Sequence, residues 1–206
     1  VVARSGITGE KTELDGYLYL EGGNVSVYDH MGKHTLCTMV QTNKPAEEQA
    51  HNIAMQVAAM NPVALDEASV PQEVKDSELK VAIEKTKEEQ INKAVEAALK
   101  KAGFNLYIAE NEEHINEGIM KGNITEAQAE EIRKIKKETA EQKAANMPEQ
   151  MVQNIAKGRM AKFFKDSCLL NQEYIQDSKM SVADYLHAAD KELTVVAFKR
   201  FTLRAE

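Results

Sequence analysis

Three groupings of residues carry enough chemistry to weigh first. Gly6-Ile-Thr-Gly9-Glu-Lys11-Thr12 has the glycines, lysine and hydroxyl of a phosphate-binding loop. That loop needs G-x-x-x-x-G-K-[ST], with Lys directly after the second Gly, so that the ammonium and the backbone N–H groups close on phosphate together. Here Glu10 intervenes and would repel the anion, so the segment reads as a turn. His30 and His34 are four apart, a spacing that on a helix puts two imidazoles on one face for zinc. Met31-Gly32 between them reads as a turn, and no Cys or carboxylate completes the set, so they read as solvated turn histidines. The carboxylate pairs Glu47/Glu48, Glu88/Glu89, Glu112/Glu113 and Glu130/Glu131 could serve acid–base work. All fall beside Lys on helical segments, where solvation and i,i+4 pairing account for them. His51, His114 and His187 are isolated and form no triad with Ser or Cys. The residues therefore point to no enzyme, no cofactor and no metal.

The elements that would position such residues begin with strands. Tyr17–Leu20, Val25–Tyr28 and Thr35–Val40 are short and β-branched or aromatic, and Gly22-Gly23 between two of them reads as a hairpin turn. A helix follows, with Pro45 in its first turn, Ile53, Val57 and Met60 on one face, and Asn61-Pro62 as its stop. From about Pro71 to Phe164 the pattern is helical. Ile91, Val95, Ala98 and Ala102 make a 4-3-4 seam, and Glu84–Gln90 is polar all round, as in a helix that projects into solvent. Gly103 ends this helix, Glu110–Met120 makes a short one, and Thr125 with Gln128 makes a capping box for a third. Pro148 starts a fourth that runs into Phe163-Phe164. Cys168-Leu169-Leu170 then reads as strand-like and Asn171-Gln172-Glu173 as a turn. Ser181 caps a short helix through Leu186, and Glu192–Leu203 closes with a strand. The fold class is α+β: a small antiparallel sheet packed with helices, interrupted by a long inserted antiparallel helical hairpin or coiled coil. The expected division is 1–72 and 165–206 for the α+β core and 73–164 for the insertion. The Met residues, among them Met55, Met60, Met147, Met151 and Met160, read as core packing.

Composition narrows the partners. The chain has 206 residues, enough for a real core, with 29% charged and only 5% aromatic residues, a balance that favours long solvated helices. A net charge of −7, with no basic cluster interleaved with aromatics, argues against direct nucleic-acid binding. No apolar run approaches the ~18 residues of a membrane span. Cys37 and Cys168 read as two buried thiols in a reducing cytoplasm. The chain begins Val-Val without an initiator Met and reads as a piece of something longer.

The order Gly158-Arg159-Met160-x-Lys162-Phe163, then Leu169-Leu170-x-Gln172, resembles the C-terminal half of bacterial elongation factor Ts. Asn52–Ala59, the Val70-Pro71 element, and Ser178–Leu186 followed by Phe198-Lys199-Arg200-Phe201 extend the resemblance in the same order. The resemblance implies a guanine-nucleotide exchange factor for the translational GTPase elongation factor Tu. It also implies an α+β subdomain carrying an inserted helical pair that forms a homodimer in some members. The family's T-D-F-V motif, which presses on the GTPase near its magnesium and phosphates, does not occur in this sequence. What the resemblance carries over is contact with domain 3 of the partner, through Leu36, Cys37, Gln56, Ile175 and Gln176. Only Leu36 and Ile175 keep the family's character there, and Leu36, Cys37 and Ile175 read equally as core strand residues. The expectation is a chain that binds elongation factor Tu but exchanges GDP poorly. The alternative is a helical dimerisation module with no contact to the GTPase.

Overall fold

The structure, a computed structural model, describes residues 1–203. The chain divides into two compact units, one of Val1–Pro71 with the chain from Phe163 onward, the other of Gln72–Lys162.

The first unit opens with a short helix α1 (Val2–Thr8) and is built on a three-stranded antiparallel sheet. Strand β2 (Leu36–Thr42) lies centrally, with β1 (Val25–Asp29) on one side and β5 (Val195–Thr202) on the other. Alternation along β2 buries Thr38, Val40 and Thr42 on one face. Helix α2 (Glu47–Met60) covers that face with Ile53, Ala54 and Val57. A buried hydrogen bond joins the layers, the Thr38 hydroxyl donating to the Ala54 carbonyl at 2.7 Å. Asn61 in left-handed geometry, followed by Pro62, stops α2. Helix α8 (Val182–Ala189) adds Val182 and Leu186 to the same core, and its first turn carries a capping box between Ser181 and Asp184.

Several readings of the sequence need correction in this unit. Tyr17–Leu20 is not a strand, because the sheet ends at β1 and β5 and no ladder reaches it. Instead Gly16 lies against the Phe201 ring, and Tyr17 and Tyr19 stack on each other in the open. Gly22-Gly23 therefore makes no hairpin. At φ 138°, Gly22 brings the backbone so close to Gln41 that a Cβ would lie 2.1 Å from its amide nitrogen. Cys168–Leu170 is not a strand either. Helix α7 (Glu149–Ser167) runs past Phe164, and a 3-10 turn follows at Leu169–Asn171. Its backbone is held by Ala64 and Leu65, whose carbonyls accept from Leu169 and Leu170 at 2.9 and 3.0 Å. Cys168 is buried as read, whereas Cys37 is only half-buried, and neither is in a disulfide.

The second unit is helical. Helix α3 (Gln72–Lys101) packs along α6 (Glu126–Ala145), with the short helices α4 (Leu106–Ala109) and α5 (Glu112–Met120) between them in the chain. Leu99, near the end of α3, shares a core with Ala129 and Ile132 near the start of α6. At the other end, Ile83 and Ile91 line a cavity with Ala144, so the pair is antiparallel. Thr125 and Gln128 form the capping box read from the sequence. Gly118 sits inside α5, where Ile108 and Ile124 pack so close that a side chain would crowd them. The seam of α3 passes through Leu99, while Ala102 is exposed. Within the polar Glu84–Gln90 stretch Thr86 alone is buried, and its hydroxyl donates to the Ala82 carbonyl at 2.6 Å.

Candidate functional site

The five residues singled out by resemblance fall on three elements of the first unit. Leu36 and Cys37 begin β2, paired with Thr202 and Phe201 of β5, and both are half-buried. Cys37 also pairs with Asp29, and its thiol donates to that carboxylate at 3.8 Å. Burial, with the neighbouring negative charge and the hydrogen bond, pushes the thiol pKa up, so it is a poor nucleophile. Ile175 and Gln176 form the exposed tip of a hairpin between β3 (Glu173–Tyr174) and β4 (Asp177–Ser181). Ile175 is 43% exposed. Gln56 is completely buried on α2.

The structure brings two of the five together. The Gln56 side-chain oxygen accepts the Ile175 backbone N–H at 2.8 Å. Its amide nitrogen donates to the Glu173 carbonyl at 3.0 Å and to the Gln172 side-chain oxygen at 3.2 Å. Gln172, itself buried, donates its amide to the Asp166 carbonyl at 2.9 Å, in the last turn of α7. Such amides are retained inside a protein only when their bonds are made. Leu36 and Cys37, by contrast, are held by the sheet ladder and stand outside this cluster among the described residues.

The same face of α2 anchors the base of the hairpin. Asn52, one turn before Gln56, donates to the Tyr185 hydroxyl at 2.7 Å, and the Tyr185 ring stacks on Tyr174 with centroids 4.1 Å apart. Burial raises the Tyr174 phenol well above its ordinary range, so it stays neutral. At the surface, Lys165 pairs with Glu173 at 2.8 Å. The lysine's hydrogen bond holds that carboxyl below the usual range. Gln172 read as a turn residue, and only its place in the L-L-x-Q motif marked it. Its bond to Gln56 joins residues more than a hundred positions apart.

Among the described residues, acid–base and metal chemistry find no comparable assembly. A cleft of about 830 Å³ between β1 and the start of α2 presents Glu47, Glu48 and His51, all exposed. His34 pairs with Asp29, and the His30 ring nitrogen meets the Tyr28 hydroxyl at 3.0 Å. Among the described residues no three of His, Cys, Asp and Glu gather as metal ligands would. Among them, too, no helix is long and apolar enough to cross a membrane.

Comparison with known proteins gives the same direction throughout. A family model described as Elongation factor TS matches residues 1–130 and 117–205. An elongation factor Ts of Phocaeicola vulgatus is 56% identical over 206 residues, covering all of this chain and 63% of the relative. One from Bacteroides fragilis is 57% identical over 207 residues, with the same coverage. One from Porphyromonas gingivalis is 34% identical, covering all of this chain and 55% of the relative. The chain thus spans less than two thirds of the length of the curated relatives it matches.

Proposed function

The chain belongs to the elongation factor Ts family, and from that premise we propose that it binds the translational GTPase elongation factor Tu through the first unit. The observation that carries this is the exposed Ile175–Gln176 tip, an apolar side chain presented on a short hairpin whose base is fixed by buried hydrogen bonds. An apolar anchor on a pre-ordered support binds with little ordering cost. Leu36 and Cys37 at the start of β2 form a second patch of the proposed surface, and the cytoplasm is the proposed compartment.

The proposed action is linkage, with no bond made or broken. A factor that favours the nucleotide-free GTPase weakens nucleotide binding by the same factor by which nucleotide weakens its own. That weakening requires contacts that differ between the two states of the switch elements. The T-D-F-V motif through which the family reaches the phosphate and magnesium site does not occur in this chain. The proposed role is therefore partner binding with little acceleration of GDP release. Co-elution with elongation factor Tu in size-exclusion chromatography tests the binding. Separate elution at concentrations above about 10 µM, where a complex of ordinary affinity stays associated, would remove the reading.

A second reading rests on the helical unit. It has its own core of Leu99, Ile115 and Ile132, and it leaves Val81, Tyr107 and Met120 exposed. These fit a self-association surface, and the helical unit is proposed as the place of homodimerisation. Sedimentation velocity across a concentration series checks it, and a weight that stays monomeric throughout counts against it.

A further inference from the structure

The Ile175–Gln176 turn is closed by the pairing of Tyr174 with Asp177 but lacks the residues such turns favour. Two-residue hairpin loops favour turns with positive φ, filled by Gly or Asn. Neither Ile175 nor Gln176 has positive φ, and the pairing register slips just before them, between Glu173 and Tyr174.

Gln56 restrains the turn from beneath. Its oxygen accepts the Ile175 N–H while its nitrogen donates to the Glu173 carbonyl, so one amide clamps the backbone on both sides of Tyr174. The orientation of this amide is fixed in turn. A backbone N–H can only donate and a backbone carbonyl can only accept, so Ile175 and Glu173 dictate which end of Gln56 is oxygen. Gln172 offers its own oxygen to Gln56 because its nitrogen is committed to the Asp166 carbonyl. The four bonds form one directional chain from the last turn of α7 to the hairpin tip. Gln56, at 0% exposure, has no surface to offer a partner.

We propose that Gln56 and Gln172 are positioning residues that set how the Ile175–Gln176 tip is presented to the partner, without touching the partner themselves. This rests on the reading that the tip docks on elongation factor Tu, and the test separates the two claims. It is a double-mutant cycle of Gln56→Met and Ile175→Ala in the full chain. Affinity for elongation factor Tu is read by calorimetry, and amide hydrogen exchange is read on the free protein.

Gln56→Met is expected to weaken binding about fivefold in the native background and less than about twofold once Ile175 is Ala, since coupled residues lose additivity. The Ile175 amide is expected to exchange about tenfold faster or more in Gln56→Met, while the Val40 amide in the sheet keeps its protection. Gln172→Met leaves the Gln56 acceptor in place and is expected to shift both readouts in the same direction by a smaller factor. It serves as the second variant if Gln56→Met does not fold. Equal losses in both backgrounds, or an Ile175 amide as protected as in the native chain, would overturn the proposal. If Ile175→Ala alone leaves affinity unchanged, the docking reading falls. Hydrogen exchange then decides the positioning claim by itself, with faster Ile175 exchange supporting it and unchanged protection ending it.

Discussion

Replacing Ile175 by Ala removes about three CH₂-equivalents, worth about 0.8 kcal/mol each when fully withdrawn from water. In the free chain 43% of Ile175 is accessible, so less than half of that side chain remains to be buried by a partner. The loss on binding is therefore about 1 kcal/mol, or about fivefold in Kd. Ile175 is not part of the main core cluster, so the cost to folding is small. The backbone N–H that Gln56 accepts is kept in the Ala variant. Isothermal titration of the native chain and of Ile175→Ala against elongation factor Tu measures the difference directly, with chemical denaturation of both to show equal folding. A Kd within about 1.5-fold of native, with the fold intact, would refute the assignment of the tip as an apolar anchor.

Further outcomes follow from the two units and their cores. Ile132→Ala, which empties a fully buried site in the helical unit, should cost about 2–5 kcal/mol in denaturation followed by helical ellipticity. Its affinity for elongation factor Tu should stay within about twofold, because Ile132 lies in the helical unit and the proposed docking surface in the other. Thr125→Ala breaks the capping box at the start of α6 and should destabilise the helical unit by about 1 kcal/mol, seen as a lower denaturation midpoint. The Arg133 guanidinium bonded to Glu112 holds that carboxyl below its ordinary value of 4.5. A carboxyl with a lowered folded pKa contributes stability above its unfolded pKa and loses it as pH falls through the folded one. The helical unit should therefore weaken as pH drops below about 4.5. Glu112→Gln should remove that part of the pH dependence, and added salt should shrink it.

Helix ends were legible because they are decided locally. Thr125 with Gln128, Ser181 with its helix, and Asn61 before Pro62 each satisfy or block backbone bonds within a few residues, so type and spacing suffice. Tyr17–Leu20 misled because β propensity describes a fit to a pleated surface, and whether a ladder lies alongside is a property of the whole fold. The α3 seam was shifted for a related reason. Four alanines and a leucine near its end allow more than one stripe, and the partner helix selects Leu99 over Ala102. The site was half legible. Ile175 and Gln176 stood out by position in a motif, and the turn before them was partly visible. That Gln56 faces inward and meets Gln172 depends on bonds between residues more than a hundred positions apart, which no local pattern encodes.

The most direct measurement is stopped-flow release of a fluorescent GDP from elongation factor Tu on mixing with this 206-residue chain. With saturable binding but no contact that distinguishes the switch states, release should accelerate by no more than about twofold. Acceleration equal to that of a full-length relative would contradict the proposal that this chain docks on the partner without the motif that expels nucleotide.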